Sequence, residues 1–162
     1  MKYSGVIYND ITAAPGLCVT FFAQGCPHKC HGCHNPETWD FNGGQDFNQE
    51  VLDNIIKGLT SEGIQRNFCI MGGEPLADEN LFLTLLLVNE VREKCPNASI
   101  YIWTGYIYEE LKNNSNNHLQ QILSKIDYLI DGPYKEELRD ITLEMRGSSN
   151  QRIIELYKID KN

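Results

Sequence analysis

The sequence has no long hydrophobic run and no excess of positive charge. Its longest apolar stretch, residues 81–88, is interrupted by Thr84 and falls short of the roughly 18 residues of a membrane helix. The segment from Met1 to Gly5 contains no apolar core of a signal peptide, which predicts a cytoplasmic protein. The formal net charge of −8 argues against binding a nucleic acid through its phosphates. We therefore expect neither a membrane nor a nucleic acid as a partner.

The chain is also too short for a closed eight-stranded β/α barrel, which usually needs about 250 residues. Its 162 residues, 41% of them hydrophobic and 22% charged, are typical of one globular domain spanning 1–162. Strand-like and helical stretches alternate along the chain, and this alternation predicts a parallel sheet with right-handed crossovers. We expect an α/β fold, an open partial (β/α) barrel of about five or six mainly parallel strands.

The hydrophobic pattern places the elements of this fold. The predicted strands cover residues 3–8, 17–22, 68–71, 99–103, 128–131 and 153–157. The predicted helices cover residues 48–59, 79–94, 107–111 and 118–125. Asn48 is the predicted N-cap of the first helix, with Val51 at its third position. The second helix is apolar around most of its circumference, which favours burial in the core over a partner surface.

A fourth closely spaced cysteine is missing. Three of the six cysteines form the pattern Cys26-x3-Cys30-x2-Cys33 in one short loop. The remaining three lie apart in the chain and are predicted to be small core residues: Cys18, Cys69 and Cys95. Thiolates at short spacing suit either zinc or an iron–sulfur cluster. The loop therefore predicts a metal site with three cysteine ligands.

Two interpretations of this loop stay open. In the first, His28, His31 or His34 completes a structural zinc site with the three cysteines. In the second, a four-iron cluster keeps one iron without a protein ligand, and a small molecule binds there. Glycine-rich or polar residues follow three further predicted strands, at 72–75, 104–105 and 131–132. Because the carboxyl ends of parallel strands form one rim, these residues favour the second interpretation.

The cysteine spacing resembles the cluster motif of the radical S-adenosylmethionine (SAM) superfamily. Many members have an aromatic residue before the third cysteine, where this chain has Gly32. The segment GCPHKCHGCHNPETW (25–39) is more specifically similar to the activating enzymes of anaerobic ribonucleoside-triphosphate reductase. The segments MGGEPL (71–76), IWTGY (102–106), DYLIDGPY (127–134) and RGSSNQRII (146–154) resemble the same family, in the same order.

The resemblance implies a radical-SAM type fold, with a [4Fe–4S] cluster on Cys26, Cys30 and Cys33 whose open iron binds the amino and carboxylate groups of SAM. It implies reductive cleavage of SAM to methionine and a 5′-deoxyadenosyl radical. That radical would remove a hydrogen from a backbone glycine of the reductase and leave a glycyl radical. The resemblance suggests a flavodoxin-type electron donor and leaves a homodimer open.

The same resemblance assigns cofactor contacts to the strand-end residues. Gly72 and Gly73 would let the backbone approach the methionyl end of SAM closely. Glu74, or carbonyl groups near it, would accept hydrogen bonds from the SAM ammonium.

Further contacts would come from the cysteine loop and from two other strand ends. Gly32, Cys33 and His34 would line the adenosine side through their backbones. Thr104 and Asp131 are secondary candidates at the rim, although Asp131 could simply cap the next turn.

Two other functions are consistent with the same residues. One is an activase of another glycyl-radical enzyme, of the pyruvate formate-lyase type. The other is a zinc-stabilised or redox binding module without catalysis, which predicts that the Glu74→Ala variant is tolerated.

Overall fold

Residues 1–156 of the chain form a seven-stranded mixed sheet. A computed structural model describes residues 1–156. The strands are β1 (Lys2–Asp10), β2 (Cys18–Ala23), β3 (Gln45–Asp46), β4 (Asn67–Gly72), β5 (Ile100–Trp103), β6 (Tyr128–Asp131) and β7 (Arg152–Glu155). The helices are α1 (Gln49–Thr60), α2 (Leu81–Lys94), α3 (Tyr108–Asn113) and α4 (Asn117–Lys125). Short 3-10 helices cover Pro36–Thr38, Ser61–Gly63 and Glu136–Leu138.

The strand order is β3-β1-β2-β4-β5-β6-β7. The strands β2, β4, β5 and β6 pair in parallel at the centre, as the alternating pattern predicts. The outer pairings, of β1 with β2 and β3 and of β6 with β7, are antiparallel. The predicted count of five or six mainly parallel strands is therefore corrected to seven, with antiparallel pairings at both edges. The expected partial-barrel curvature stays a prediction.

Local chain chemistry explains these differences. Strand β3 has two residues, which is too short to show any periodicity. The connection from β1 to β2 spans residues 11–17, which is too short for the crossover that a parallel pair requires. The prediction of a strand over 153–157 is confirmed through residue 155, whereas Tyr157 lies outside the described residues.

The helices begin close to their predicted positions. The Asn48 side chain accepts a hydrogen bond from the Val51 N–H at 3.1 Å, which confirms it as the N-cap of α1. The apolar residues of α2 lie mostly in the core, as predicted, although Phe82 is 56% exposed. No helix within residues 1–156 combines the length and hydropathy needed to cross a membrane.

The two faces of the sheet carry different cores. The helices pack on one face, where alternate strand residues such as Phe21, Phe68 and Ile102 are buried. The other face carries Cys18 and Cys69, both fully buried and free as predicted, together with stacked rings of β5 and β6. The third scattered cysteine, Cys95, is also free and buried, after the last residue of α2.

Candidate metal centre

The cysteine loop leaves the carboxyl end of β2 and is tied to the segment that follows it. The N–H groups of Gly25 and Cys26 donate to two carbonyls of segment 37–40, at 2.7 and 3.1 Å. The buried Gln24 amide donates to two more, at 3.1 and 2.8 Å. Gly25 has φ +95°, and a Cβ at this position would lie 2.0 Å from the Phe41 ring. These contacts hold both ends of the loop at the rim of the sheet.

All three cysteine sulfurs of this loop accept hydrogen bonds from backbone N–H groups. The donors are His28 and Lys29 for Cys26, Tyr134 and the N–H of Cys30 itself for Cys30, and Asn35 for Cys33. An N–H group aimed at sulfur stabilises the thiolate, which is the form that binds metal. The donor set therefore fits an iron–sulfur cluster.

The cysteines must lose their protons to bind a metal. Burial raises the pKa of the Cys26 and Cys30 thiols, so metal uptake at neutral pH releases protons from them. No group of three or more His, Cys, Asp or Glu side chains within residues 1–156 surrounds one common point for a single ion. A four-iron cluster makes a different demand, because each cysteine binds an iron of its own.

Glu74 is the buried centre of the rim, with 1% of its surface exposed. Its Oε1 accepts from the Leu76 N–H at 2.9 Å and from the Thr104 hydroxyl at 2.8 Å. Its Oε2 accepts from the Gly105 N–H and lies next to the His28 Nε2, both at 2.7 Å. A carboxylate has about four acceptor positions, so protein donors occupy all of them.

The Glu74 contacts join three segments that are distant in the sequence: the cysteine loop, the end of β4 and the end of β5. The sequence placed Glu74 and Thr104 at one rim, and the structure brings them into contact. The sequence offered His28 only as a possible zinc ligand and gave no signal for its contact with Glu74. The His28 ring also lies edge-on to the Tyr106 ring, with 4.5 Å between the ring centroids. A Cβ at Gly105 would lie 2.5 Å from that imidazole. His28 therefore holds the cysteine loop against the end of β5.

The two glycines after β4 have an observed packing role. The N–H of Gly73 donates to the Ala23 carbonyl at 2.9 Å, and a Cβ at Gly73 would lie 2.4 Å from the Gly25 carbonyl oxygen. Gly72 has φ +100°, a conformation that favours glycine. The pair lets the ends of β2 and β4 approach closely. Their contact with SAM stays a prediction.

The other side of the cysteine loop is covered by the segment after β6. Gly32 has φ +76°, and a Cβ there would lie 2.2 Å from the Glu136 carboxylate. The rings of His34 and Tyr134 meet edge-on at 5.5 Å. The sequence assigned no role to Tyr134 or Glu136. The adenosine contacts of Gly32, Cys33 and His34 stay predictions.

Asp131 is the last residue of β6, and its carboxylate contacts an arginine and the start of α3. Its Oδ1 accepts from the Arg152 Nε at 3.0 Å, and its Oδ2 accepts from the Arg152 Nη2 at 2.5 Å. Oδ2 also accepts from the N–H of Tyr108, the first residue of α3, at 2.8 Å. These contacts form an ion pair and satisfy an N–H group at the start of α3, whereas the alternative that the sequence left open was a cap of the turn after Asp131. A cofactor contact of Asp131 stays a prediction.

The Arg152→Met variant tests this structural role. It leaves the Asp131 carboxylate buried without its cation, so we expect the free energy of unfolding to fall by about 2 kcal/mol. The figure is at the low end because 46% of the arginine side chain is exposed. Urea unfolding measures the change, with Glu109→Gln as the control that keeps the Arg152–Asp131 pair. Equal stability of Arg152→Met and the unmodified chain would contradict the assignment.

Sequence similarity to known proteins places this chain in a family. The profile of a family described as a 4Fe-4S single cluster domain matches residues 12–154. An anaerobic ribonucleoside-triphosphate reductase-activating protein of Salmonella typhi is 40% identical over 152 residues, covering 93% of this chain and 96% of the relative. The protein of the same name in Escherichia coli K12 is 40% identical with the same coverage.

A more distant relative agrees with these. A protein of the same name in Enterobacteria phage T4 is 35% identical over 153 residues, covering 94% of this chain and 93% of the phage protein. The family resemblance seen in the sequence motifs is thereby confirmed. The chain belongs to the family of anaerobic ribonucleoside-triphosphate reductase-activating proteins and carries a 4Fe-4S single cluster domain.

Proposed function

We propose that this chain is a radical SAM enzyme that activates anaerobic ribonucleoside-triphosphate reductase by generating a glycyl radical on it. The observation that carries the proposal is the set of three sulfurs at the sheet rim, each with a backbone N–H donor. The names of the relatives support the reductase as the partner. A flavodoxin-type donor and a homodimer stay predictions of the resemblance.

Cys26, Cys30 and Cys33 would hold the cluster. Three thiolates for four irons leave one iron for a small molecule, which is the position that SAM would occupy. When bound, the cluster would supply the electron for cleavage of SAM into methionine and a 5′-deoxyadenosyl radical, and this radical would take hydrogen from the reductase glycine. The backbone N–H groups of the loop stabilise the thiolates, and Gln24 keeps the loop at the rim.

Glu74 would contribute to SAM binding by accepting a hydrogen bond from the SAM ammonium in place of one of its present donors. Because all its acceptor positions are filled, an incoming ammonium has to displace one of the present partners. Leu76 and Gly105 donate from the backbone, and Thr104 is 5% exposed. The His28 side chain is 19% exposed, which makes it the more accessible of the two side-chain donors. We expect His28 to leave Oε2 when the ammonium binds.

The function is tested with protein purified without oxygen. We expect about four irons per chain and, with dithionite and SAM, release of 5′-deoxyadenosine. Addition of the purified reductase should then give the EPR signal of a glycyl radical. A colourless protein with one tightly bound zinc would overturn the proposal in favour of a non-catalytic module. A radical formed on pyruvate formate-lyase but not on the reductase would identify another activase.

A further inference from the structure

The connection between β6 and β7, residues 132–151, forms a strap that reaches the cysteine loop. Two of its residues contact the loop directly: the Tyr134 N–H donates to the Cys30 sulfur, and the Glu136 carboxylate packs against Gly32. The other sulfurs receive their N–H donors from within the loop itself. The Cys30 sulfur also receives the N–H of Cys30 itself, and it is the one sulfur of the three, within the described residues, that has a further N–H donor from a distant segment.

Side chains near the end of the strap fix its beginning. The Asn150 Nδ2 donates to the Pro133 carbonyl at 2.7 Å, and the Gln151 Nε2 donates to the Gly132 carbonyl at 3.1 Å. The Gln151 Oε1 accepts from two N–H groups of residues 147–148, at 2.9 and 3.1 Å. The polar residues of the RGSSNQ motif thus hold the DGPY motif in place.

One peptide group is fixed at both of its ends by these contacts. The group between Pro133 and Tyr134 is planar, so its carbonyl and its N–H turn together. Asn150 holds the carbonyl end, and the N–H end points at the Cys30 sulfur. The Asn150 Oδ1 is buried without a hydrogen-bond partner among residues 1–156. Substituting Asn150 therefore removes its bond to Pro133 and no other hydrogen bond.

We propose that Asn150 is a positioning residue for the cluster, which holds the Pro133 carbonyl so that the Tyr134 N–H points at the Cys30 sulfur and raises the reduction potential. Reduction adds an electron to the cluster and makes its sulfurs more negative. An N–H group aimed at sulfur stabilises that reduced form more than the oxidised one. The inference rests on the proposed assignment of Cys30 as a ligand, and it requires neither SAM nor the reductase.

The test is the midpoint potential of the cluster, measured by anaerobic redox titration with EPR of the reduced state. We expect Asn150→Ala to make reduction about tenfold less favourable, a fall of about 59 mV for one electron. Ser149→Ala is the matched control, because within residues 1–156 this exposed neighbour donates only its backbone N–H, to the Leu138 carbonyl. An unchanged potential in Asn150→Ala with four irons bound would overturn the proposal.

A second pair of variants covers the case in which Asn150→Ala loses its cluster. Asn150→Asp keeps the size of the side chain but has no N–H to donate, and Ser149→Asp adds the same charge next to it. The proposal requires the larger negative shift in Asn150→Asp, and equal shifts would overturn it. Because Gln151 still anchors Gly132, we expect both of these variants to keep the cluster.

The outcomes separate this inference from the proposed function. A shifted potential in protein that fails to cleave SAM would support the role of Asn150 and remove the radical SAM assignment. Full iron content in Cys30→Ala would remove the ligand assignment, and the inference with it.

Discussion

We expect the Cys30→Ala variant to lose the proposed cluster and, with it, all of the proposed SAM cleavage. Removing Cys30 leaves two thiolates for four irons and takes away the ligand that the strap also contacts. Because a cluster of this kind is held by its thiolate ligands, we expect iron content to fall to background after anaerobic reconstitution. Formation of 5′-deoxyadenosine with dithionite and SAM should fall below detection.

Cys95→Ala is the matched control for this experiment. Cys95 is also a free, buried cysteine, but it lies after the last residue of α2 and packs in the helix-side core. We expect this variant to keep four irons and full SAM cleavage, with a small loss of stability from the deleted sulfur. Retained 5′-deoxyadenosine formation in Cys30→Ala would refute the ligand assignment of the cysteine loop.

The features that the sequence predicted correctly depend on local pattern. The parallel strands at the centre of the sheet, the helices and the Asn48 cap all follow from hydrophobic period and turn chemistry within one segment. The three cysteines are close in the sequence, so their spacing alone indicated a metal site. Strand β3 was missed because two residues carry no period.

The contacts that the sequence could not give join distant segments. His28 and Glu74 are separated by 46 positions, and no local sequence pattern indicates that their side chains form a hydrogen bond. Because the carboxyl ends of parallel strands form one rim, the sequence predicted Thr104 and Asp131 there. That argument places the backbone of each residue but not the direction of its side chain. Thr104 turns toward Glu74, whereas Asp131 turns toward Arg152 because a cation is available there.

The Glu74→Ala variant should be strongly destabilised even without SAM. It removes the acceptor for four donors in a site that is 1% exposed, and those donors include the Thr104 hydroxyl and the Gly105 N–H. We expect the free energy of unfolding to fall by about 3–5 kcal/mol, measured by urea unfolding. The exposed neighbour Glu79 gives the control, since Glu79→Ala should change stability by less than about 0.5 kcal/mol. Similar stability of the two variants would contradict the structural role of Glu74.

This expectation changes what the Glu74→Ala variant can establish. Tolerance of the substitution was the sign of a non-catalytic module, but the buried contacts make it damaging in a module and an enzyme alike. His28→Ala is the sharper variant, because it frees one acceptor position on Oε2 and leaves three donors in place. We expect SAM to bind the cluster-loaded His28→Ala protein at least as tightly as the unmodified chain, by equilibrium dialysis. Tenfold weaker binding with four irons present would show that the SAM ammonium does not replace His28 on Glu74.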